Sequence, residues 1–133
     1  MKSGTFVALE GIEGSGKSSL LTPLKEHYES QGRRVLVTRE PGGTDLGNEL
    51  RSILLHFDKA AINPIAELLL IEAARAQHMT QVIADALENF DLILCDRFTL
   101  STLAYQWGGR GIGRRTGEQL NQTATGGLEP DLV

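Results

Sequence analysis

The octet Gly11-Ile12-Glu13-Gly14-Ser15-Gly16-Lys17-Ser18 stands between an apolar run, Thr5 to Glu10, and a stretch with helical spacing. It fits GxxxxGK followed by Ser or Thr at every fixed position. Glycines in such a turn let backbone N–H groups point inward at phosphate oxygens. The helix that follows adds its positive N-terminal end. In this pattern the lysine reaches the β- and γ-phosphates of a nucleotide, and the Ser18 hydroxyl can ligate Mg²⁺. Glycine-rich turns also arise by chance. A strand before the octet and an amphipathic helix after it are the context that the chemistry requires, and they point to a P-loop NTPase fold.

Outward from the octet, Leu20, Leu21, Leu24 and Tyr28 predict one buried helical stripe. Pro23 lies inside it and is expected to bend the helix or cost it a hydrogen bond. Gly32 fits a C-terminal stop. Arg34 to Thr38 reads as a second strand, its Val35, Leu36 and Val37 continuous as in a sheet covered on both faces. Pro41-Gly42-Gly43 breaks the chain. A helix with Leu46, Leu50, Ile53 and Leu54 on one side follows.

Asn63-Pro64 starts a long helix reaching about Glu88, with Ile65, Leu68, Leu69, Ala76, Met79, Ile83 and Leu87 at helical spacing. Leu92 to Asp96 predicts a third buried strand, Leu100 to Gln106 a helix start, and Gly108 to Gly117 a loop or hinge. Glu129 to Val133 reads as a loop entering a fourth strand. Strands alternating with helices predict an α/β fold, a parallel central sheet flanked by helices on both faces, with its C-terminal part missing.

Composition narrows the function. A chain of 133 residues, 41% hydrophobic, is enough for a globular core. Its net charge of -4 lacks the basic surplus of a nucleic-acid binder. No apolar run approaches the about 18 residues of a membrane span. Met1-Lys2-Ser3-Gly4 leads straight into a strand with no signal-peptide core. The lone Cys95 reads as a small core residue. A cytoplasmic protein is the expectation.

Asp96 ends its apolar run, so its carboxylate should emerge at the carboxyl edge of the sheet, where open α/β folds bind ligands. Alone it would read as a turn or cap residue. Beside a phosphate loop it reads as a helper for Mg²⁺. Arg39, Arg51, Arg75, Arg97 and Arg110 fall at element ends or on helices near that edge. Any one of them could be a solvated surface charge. Arg97, directly after Asp96, must lie close to the phosphates. Arg75 shares a helix face with Ile71, four residues earlier, and could hydrogen-bond the rim of a flat base.

These segments together resemble one family. Glu10 to Ser18, Thr38-Arg39-Glu40-Pro41-Gly42-Gly43-Thr44, Leu50 to Leu55, Ala73-Ala74-Arg75, Asp96-Arg97-Phe98 and Ala104-Tyr105-Gln106 are similar, in order and spacing, to thymidylate kinases. The resemblance covers essentially the whole chain, and the Thr38 to Thr44 stretch is its narrowest part.

The resemblance implies transfer of the γ-phosphoryl group of ATP to dTMP, in dTTP biosynthesis, with Mg²⁺. It implies that Gly11, Ile12, Glu13, Gly14, Ser15, Gly16, Lys17 and Ser18 bind ATP. Lys17, Arg97 and Glu13 would act at the reacting groups, with Ser18 and Asp96 at the metal. The dTMP side would comprise Arg39, Glu40, Pro41, Arg51, Ile71, Arg75, Arg97, Ser101, Thr102, Tyr105 and Gln106. Tyr105 would pack beneath the deoxyribose. A homodimer is also implied.

Three features depart from the family. Ile71 stands where a stacking phenylalanine is usual, which removes an aromatic contribution of about 1 kcal/mol. Trp107 replaces a glycine. The lid and last strands of the family lie beyond Val133. No arginine occurs among Ile12 to Ser15, so the loop resembles the bacterial subgroup whose lid supplies it. The remaining alternatives are another nucleotide or deoxynucleoside kinase and a nucleotide-binding fragment without turnover.

Overall fold

The computed structural model describes residues 3–12, 14–104 and 109–133. In chain order the elements are β1 (Thr5–Leu9), α1 (Lys17–Ser30), β2 (Val35–Arg39), α2 (Asp45–His56) and α3 (Pro64–His78). A π-helical turn (Met79–Ile83) then carries α3 into α4 (Ala84–Asn89), followed by β3 (Leu92–Asp96), α5 (Thr99–Thr102) and α6 (Arg114–Thr125). The strands form one parallel sheet in the order β1-β3-β2. This is the α/β architecture that the alternation predicts.

The central strand explains the continuous apolar reading. Leu92, Ile93, Leu94 and Cys95 are all buried because β3 has helices on both sides. Ile93 and Cys95 join Phe6, Met79, Ile83 and Leu87 in one core layer. Leu92 and Leu94 join Leu21 and Val35 in the other, under Leu24 and Tyr28 of α1. Each core aliphatic of this kind contributes roughly 1.5–3 kcal/mol through burial. Burial pushes the Cys95 thiol well up from its ordinary value, so it is an inert core group.

Several expectations change in detail. Leu20 is 49% exposed, because it is turned about 100° around α1 from Leu21. Pro23 lies within α1 without ending it; it forfeits one hydrogen bond. The helix stops at Ser30, with Gln31 as its cap, and the Gly32 and Arg33 N–H groups bond back to the Glu29 and Tyr28 carbonyls. Leu46 and Ile53 of α2, and Ile65 and Leu69 of α3, are exposed rather than core.

The expected loop from Gly108 to Gly117 gives way to α6 at Arg114. That helix holds few apolar residues, and it meets α3 through buried Gly117 and through Asn121, whose side-chain oxygen accepts from Arg75. The expected helix from Leu100 to Gln106 is α5 at Thr99–Thr102, and Tyr105, Gln106 and Trp107 lie outside the described residues. At the end of the chain, Leu132 forms a parallel bridge to Val7, and Ala8 N–H donates to the Leu132 carbonyl at 3.0 Å. This matches a chain entering a fourth strand beside β1.

The starts of β2 and β3 are joined by Arg34 and Asp91. The Arg34 backbone N–H donates to the Asp91 carboxylate at 2.7 Å and its guanidinium at 3.1 Å. The Arg34 side chain, then its backbone N–H, hold the Asp91 carboxyl below the usual carboxylate range. A lowered folded value stabilises the fold above the unfolded pKa of about 3.9 and is lost as pH falls through the folded value. Asp91→Ala should therefore lower the thermal midpoint at pH 7, with the gap to wild type closing in acid. A gap that persists at pH 2 to 3 would contradict this account.

Candidate active site

All three strands deliver their carboxyl ends to one edge, where Asp96 is registered between Leu9 and Arg39. The glycine-rich loop leaves β1 there and enters α1. Gly16 caps that helix at φ 93°, a left-handed conformation favouring glycine, and no side chain caps the helix end. The first-turn N–H groups of α1 thus lack a side-chain partner, which is the arrangement that accepts an anion. Lys17 folds back on the loop, its Nζ donating to the Ile12 carbonyl at 3.4 Å. Ser15 and Ser18 are exposed and Lys17 is partly so. Glu13 lies outside the described residues.

Asp96 lies at the same edge, at the end of β3. Its Oδ1 is buried and has no hydrogen-bond partner among the described residues. An orphaned buried carboxylate oxygen is costly unless a water, donor or cation meets it. With the Ser18 hydroxyl as a second oxygen donor, the chemistry fits Mg²⁺, a hard cation taking oxygen ligands. Arg97 follows at φ 67°, a conformation uncommon for a side-chain-bearing residue, with its N–H donating to the Leu9 carbonyl at 2.9 Å. Sparsely populated backbone of this kind gathers at functional sites.

The segment from Thr38 to Thr44 is built residue by residue. Thr38 Oγ1 lies 2.6 Å from His78 Nε2, and Glu40 Oε2 lies 2.7 Å from His78 Nδ1. The Pro41 carbonyl accepts from Arg51 at 3.2 Å. A Cβ on Gly43 would fall 2.6 Å from the His78 ring, so no other residue fits. Thr44 caps α2, its Oγ1 accepting from Gly47 N–H at 2.9 Å. A cleft of about 580 Å³ opens here, lined by Thr38, Arg39, Gly43, Asn48 and Asp96 among others. A larger cavity of about 930 Å³ lies between α5, α6 and residues 127–133, and no described residue of the glycine-rich loop lines it.

Arg75 is not a free guanidinium facing solvent. It is 2% exposed, and all five of its N–H donors are used. Nε donates to Glu40 at 2.7 Å, and Nη1 donates to Glu72 at 3.0 Å and Asn121 at 2.9 Å. Nη2 donates to the Phe98 carbonyl at 3.1 Å and Thr102 Oγ1 at 2.8 Å. Its carbon also lies 5.2 Å from the centre of the Phe98 ring. Burial pushes the Glu72 carboxyl above its ordinary range, and Arg75 pulls against that rise.

The remaining expected residues divide. Arg39 is exposed at the edge, while Pro41, Arg51, Ile71 and Ser101 are half-buried. Ser101 is engaged by Glu10, whose carboxylate takes its hydroxyl and its N–H, the latter at 3.1 Å, and also the Phe98 N–H at 2.7 Å. Tyr105 and Gln106 lie outside the described residues. Arg110 sits away from the loop, donating to the Lys59 carbonyl at 2.9 Å.

Sequence reading missed Glu10, His78 and Asn121. His78 carried a usable signal, since it lies three residues after Arg75 on the same helix face. Removing Arg75 would leave Glu40 and Glu72 buried without their cation. Arg75→Ala should therefore cost about 3–5 kcal/mol of stability, read as a lower midpoint in urea. A midpoint unchanged from wild type would refute the structural role.

The comparisons agree with this geometry. The thymidylate kinase family profile matches residues 9–133. A thymidylate kinase of Pelobacter propionicus is 52% identical over 130 residues, covering 98% of this chain and 59% of the relative. One from Citrifermentans bemidjiense is also 52% identical, covering 98% of this chain and 58% of its own length. The chain thus spans about three fifths of these relatives. The crystal structure of thymidylate kinase from Ehrlichia chaffeensis superposes with a TM-score of 0.83 at 37% identity, covering 97% of this chain and 73% of that one. A glycine-rich loop opening α1, an orphaned carboxylate oxygen at the same sheet edge and a match over nearly the whole length lead to one conclusion: the chain belongs to the thymidylate kinase family.

Proposed function

We propose that this chain carries the phosphate-loop portion of an enzyme that transfers the γ-phosphoryl group of ATP to the 5′-phosphate of dTMP, giving dTDP and ADP. The observation carrying this reading is the meeting, at one sheet edge, of the uncapped α1 N-terminus, the orphaned Asp96 oxygen and the Thr38 to Thr44 turn. The loop Gly11 to Ser18 would bind the phosphates, Lys17 neutralising charge on the transferred group. Ser18 and Asp96 would hold Mg²⁺, which supplies further charge neutralisation when bound. An acceptor phosphate is already a nucleophile, so no general base is needed and positioning dominates.

On the acceptor side, Arg97, Arg51 and Arg39 would meet the dTMP phosphate. Glu13 would lie near the sugar, Tyr105 beneath it and Gln106 beside it. Ile71 and Pro41 would border the base, with Ser101 nearby. A thymine carbonyl would reach Arg75 by taking the place of the Asn121 or Thr102 oxygen, both of which occupy its terminal nitrogens. Glu40 would act through Arg75.

The protein is proposed as an incomplete P-loop nucleoside monophosphate kinase domain over residues 1–133, working in the cytoplasm without nucleic acid or membrane. Among the described residues no helix is long and apolar enough to cross a membrane. A second copy would cover the apolar face formed by Leu46 and Ile53 of α2 with Ile65 and Leu69 of α3, all exposed. Leu69→Glu should then convert a dimer to a monomer in sedimentation analysis, and an unchanged mass would reject this face.

Coverage of about three fifths of the relatives favours a second reading for the chain alone, nucleotide binding without turnover. A coupled ADP-release assay on the whole protein with dTMP, dUMP, dCMP and thymidine decides the substrate, and dTMP should be preferred. Lys17→Ala should lower kcat by at least about 10²-fold. Undiminished kcat in that variant, or equal rates with all four acceptors, would overturn the assignment.

A further inference from the structure

His78 has no role in the chemistry above, yet it is completely buried and both ring nitrogens are committed. Nδ1 lies 2.7 Å from Glu40 Oε2 and Nε2 lies 2.6 Å from Thr38 Oγ1. A carboxylate only accepts, so the proton is on Nδ1; in the neutral ring, Nε2 then accepts from the Thr38 hydroxyl. The other Glu40 oxygen accepts from Arg75 Nε at 2.7 Å. Four side chains, one from β2, one just after it and two from α3, therefore form one chain of hydrogen bonds: Thr38, His78, Glu40, Arg75.

We infer that His78 is a positioning residue for the acceptor nucleotide, setting the orientation of Arg75 through Glu40 and the path of the turn that holds Arg51. The claim rests on the proposed acceptor site. Two contacts support its reach. The His78 ring packs where a Gly43 Cβ would otherwise be, so it forms the floor of the Pro41 to Gly43 turn. That turn presents the Pro41 carbonyl on which Arg51 rests at 3.2 Å. The ring nitrogens of His78 face Thr38 and Glu40, not the loop from Gly11 to Ser18. Its influence falls on one nucleotide and spares the other.

The chemistry sets what a substitution must preserve. Asparagine can place a side-chain N–H near the position of Nδ1 and keep the bond to Glu40. Phenylalanine keeps a ring under Gly43 but leaves Glu40 with one donor fewer inside a buried, charged cluster. A hydrogen bond to a charged group is worth enough to change affinity by about tenfold or more.

The test uses wild type, His78→Asn and His78→Phe, with two readouts. The first is hydrogen exchange at the Arg75 side-chain Nε–H, followed by ¹⁵N NMR without any ligand. The second is calorimetric affinity for dTMP and, separately, for ADP. Wild type and the asparagine variant should keep a protected Arg75 Nε–H. The phenylalanine variant should exchange it, and bind dTMP about tenfold or more weakly while binding ADP as wild type does. Unchanged Arg75 protection in the phenylalanine variant, or equal losses for dTMP and ADP, would overturn the inference. Should that variant fail to fold, Thr38→Val removes the other anchor of the ring, and Arg75 protection unchanged in it would be equally fatal. A wild type that takes ADP but no dTMP would reject the proposed substrate, while the exchange experiment would still decide the role of His78.

Discussion

A guanidinium without contact to water must spend every N–H on the protein, and Arg75 does so across four parts of the chain. Its partners are Glu40 after β2, Glu72 on α3, Phe98 and Thr102 around α5, and Asn121 on α6. Each partner is short and fixed in geometry, so the fork of one side chain determines how these segments sit against each other. Replacing such a cluster by apolar groups can leave stability unchanged or raise it. What an apolar cluster could not supply is direction: a set of polar atoms held at the carboxyl edge of the sheet beside the phosphate loop.

The frame and the loop are complementary in character. The side proposed to take the acceptor is closely packed, with Arg75, Glu40, Glu72 and His78 all buried. The phosphate side is open, with Ile12 74% exposed and the first turn of α1 uncapped. Asp96 lies between them, at the end of β3, a strand buried on both faces. Glu10 adds a second tie, drawing Phe98 and Ser101 toward the end of β1. Arg97 is thereby placed between two anchored neighbours, in a backbone conformation that needs such support. Positioning of this kind is what phosphoryl transfer asks of a protein.

Much of this was legible in the sequence. The three strands, the loop and the long helix followed from apolar runs and spacing, because each reflects burial on a known face. Asp96 could be placed at the sheet edge because it ends such a run. Arg75 was chosen as a functional residue, but its burial could not be read, since its five partners come from positions up to 46 residues away. His78 looked like an ordinary residue on a helix face; its meaning depends on Glu40 and Thr38, which only the fold brings to it. The helix α6 stayed hidden because its packing face is glycine and polar side chains rather than a stripe of leucines. Exposed Leu46, Ile53, Ile65 and Leu69 satisfied helical spacing without being core, because periodicity reports an apolar face and not what covers it.

The most direct examination of this account is a crystal structure of the protein grown with ADP and dTMP together. The account predicts the diphosphate against the N–H groups from Gly14 to Ser18 and the thymine over the helix face of Ile71 and Arg75. It also predicts that the Arg75 to Glu40 bond survives near its present 2.7 Å. Nucleotide density in the cavity behind α6, or an Arg75 swung out of its cluster to meet the base, would contradict it.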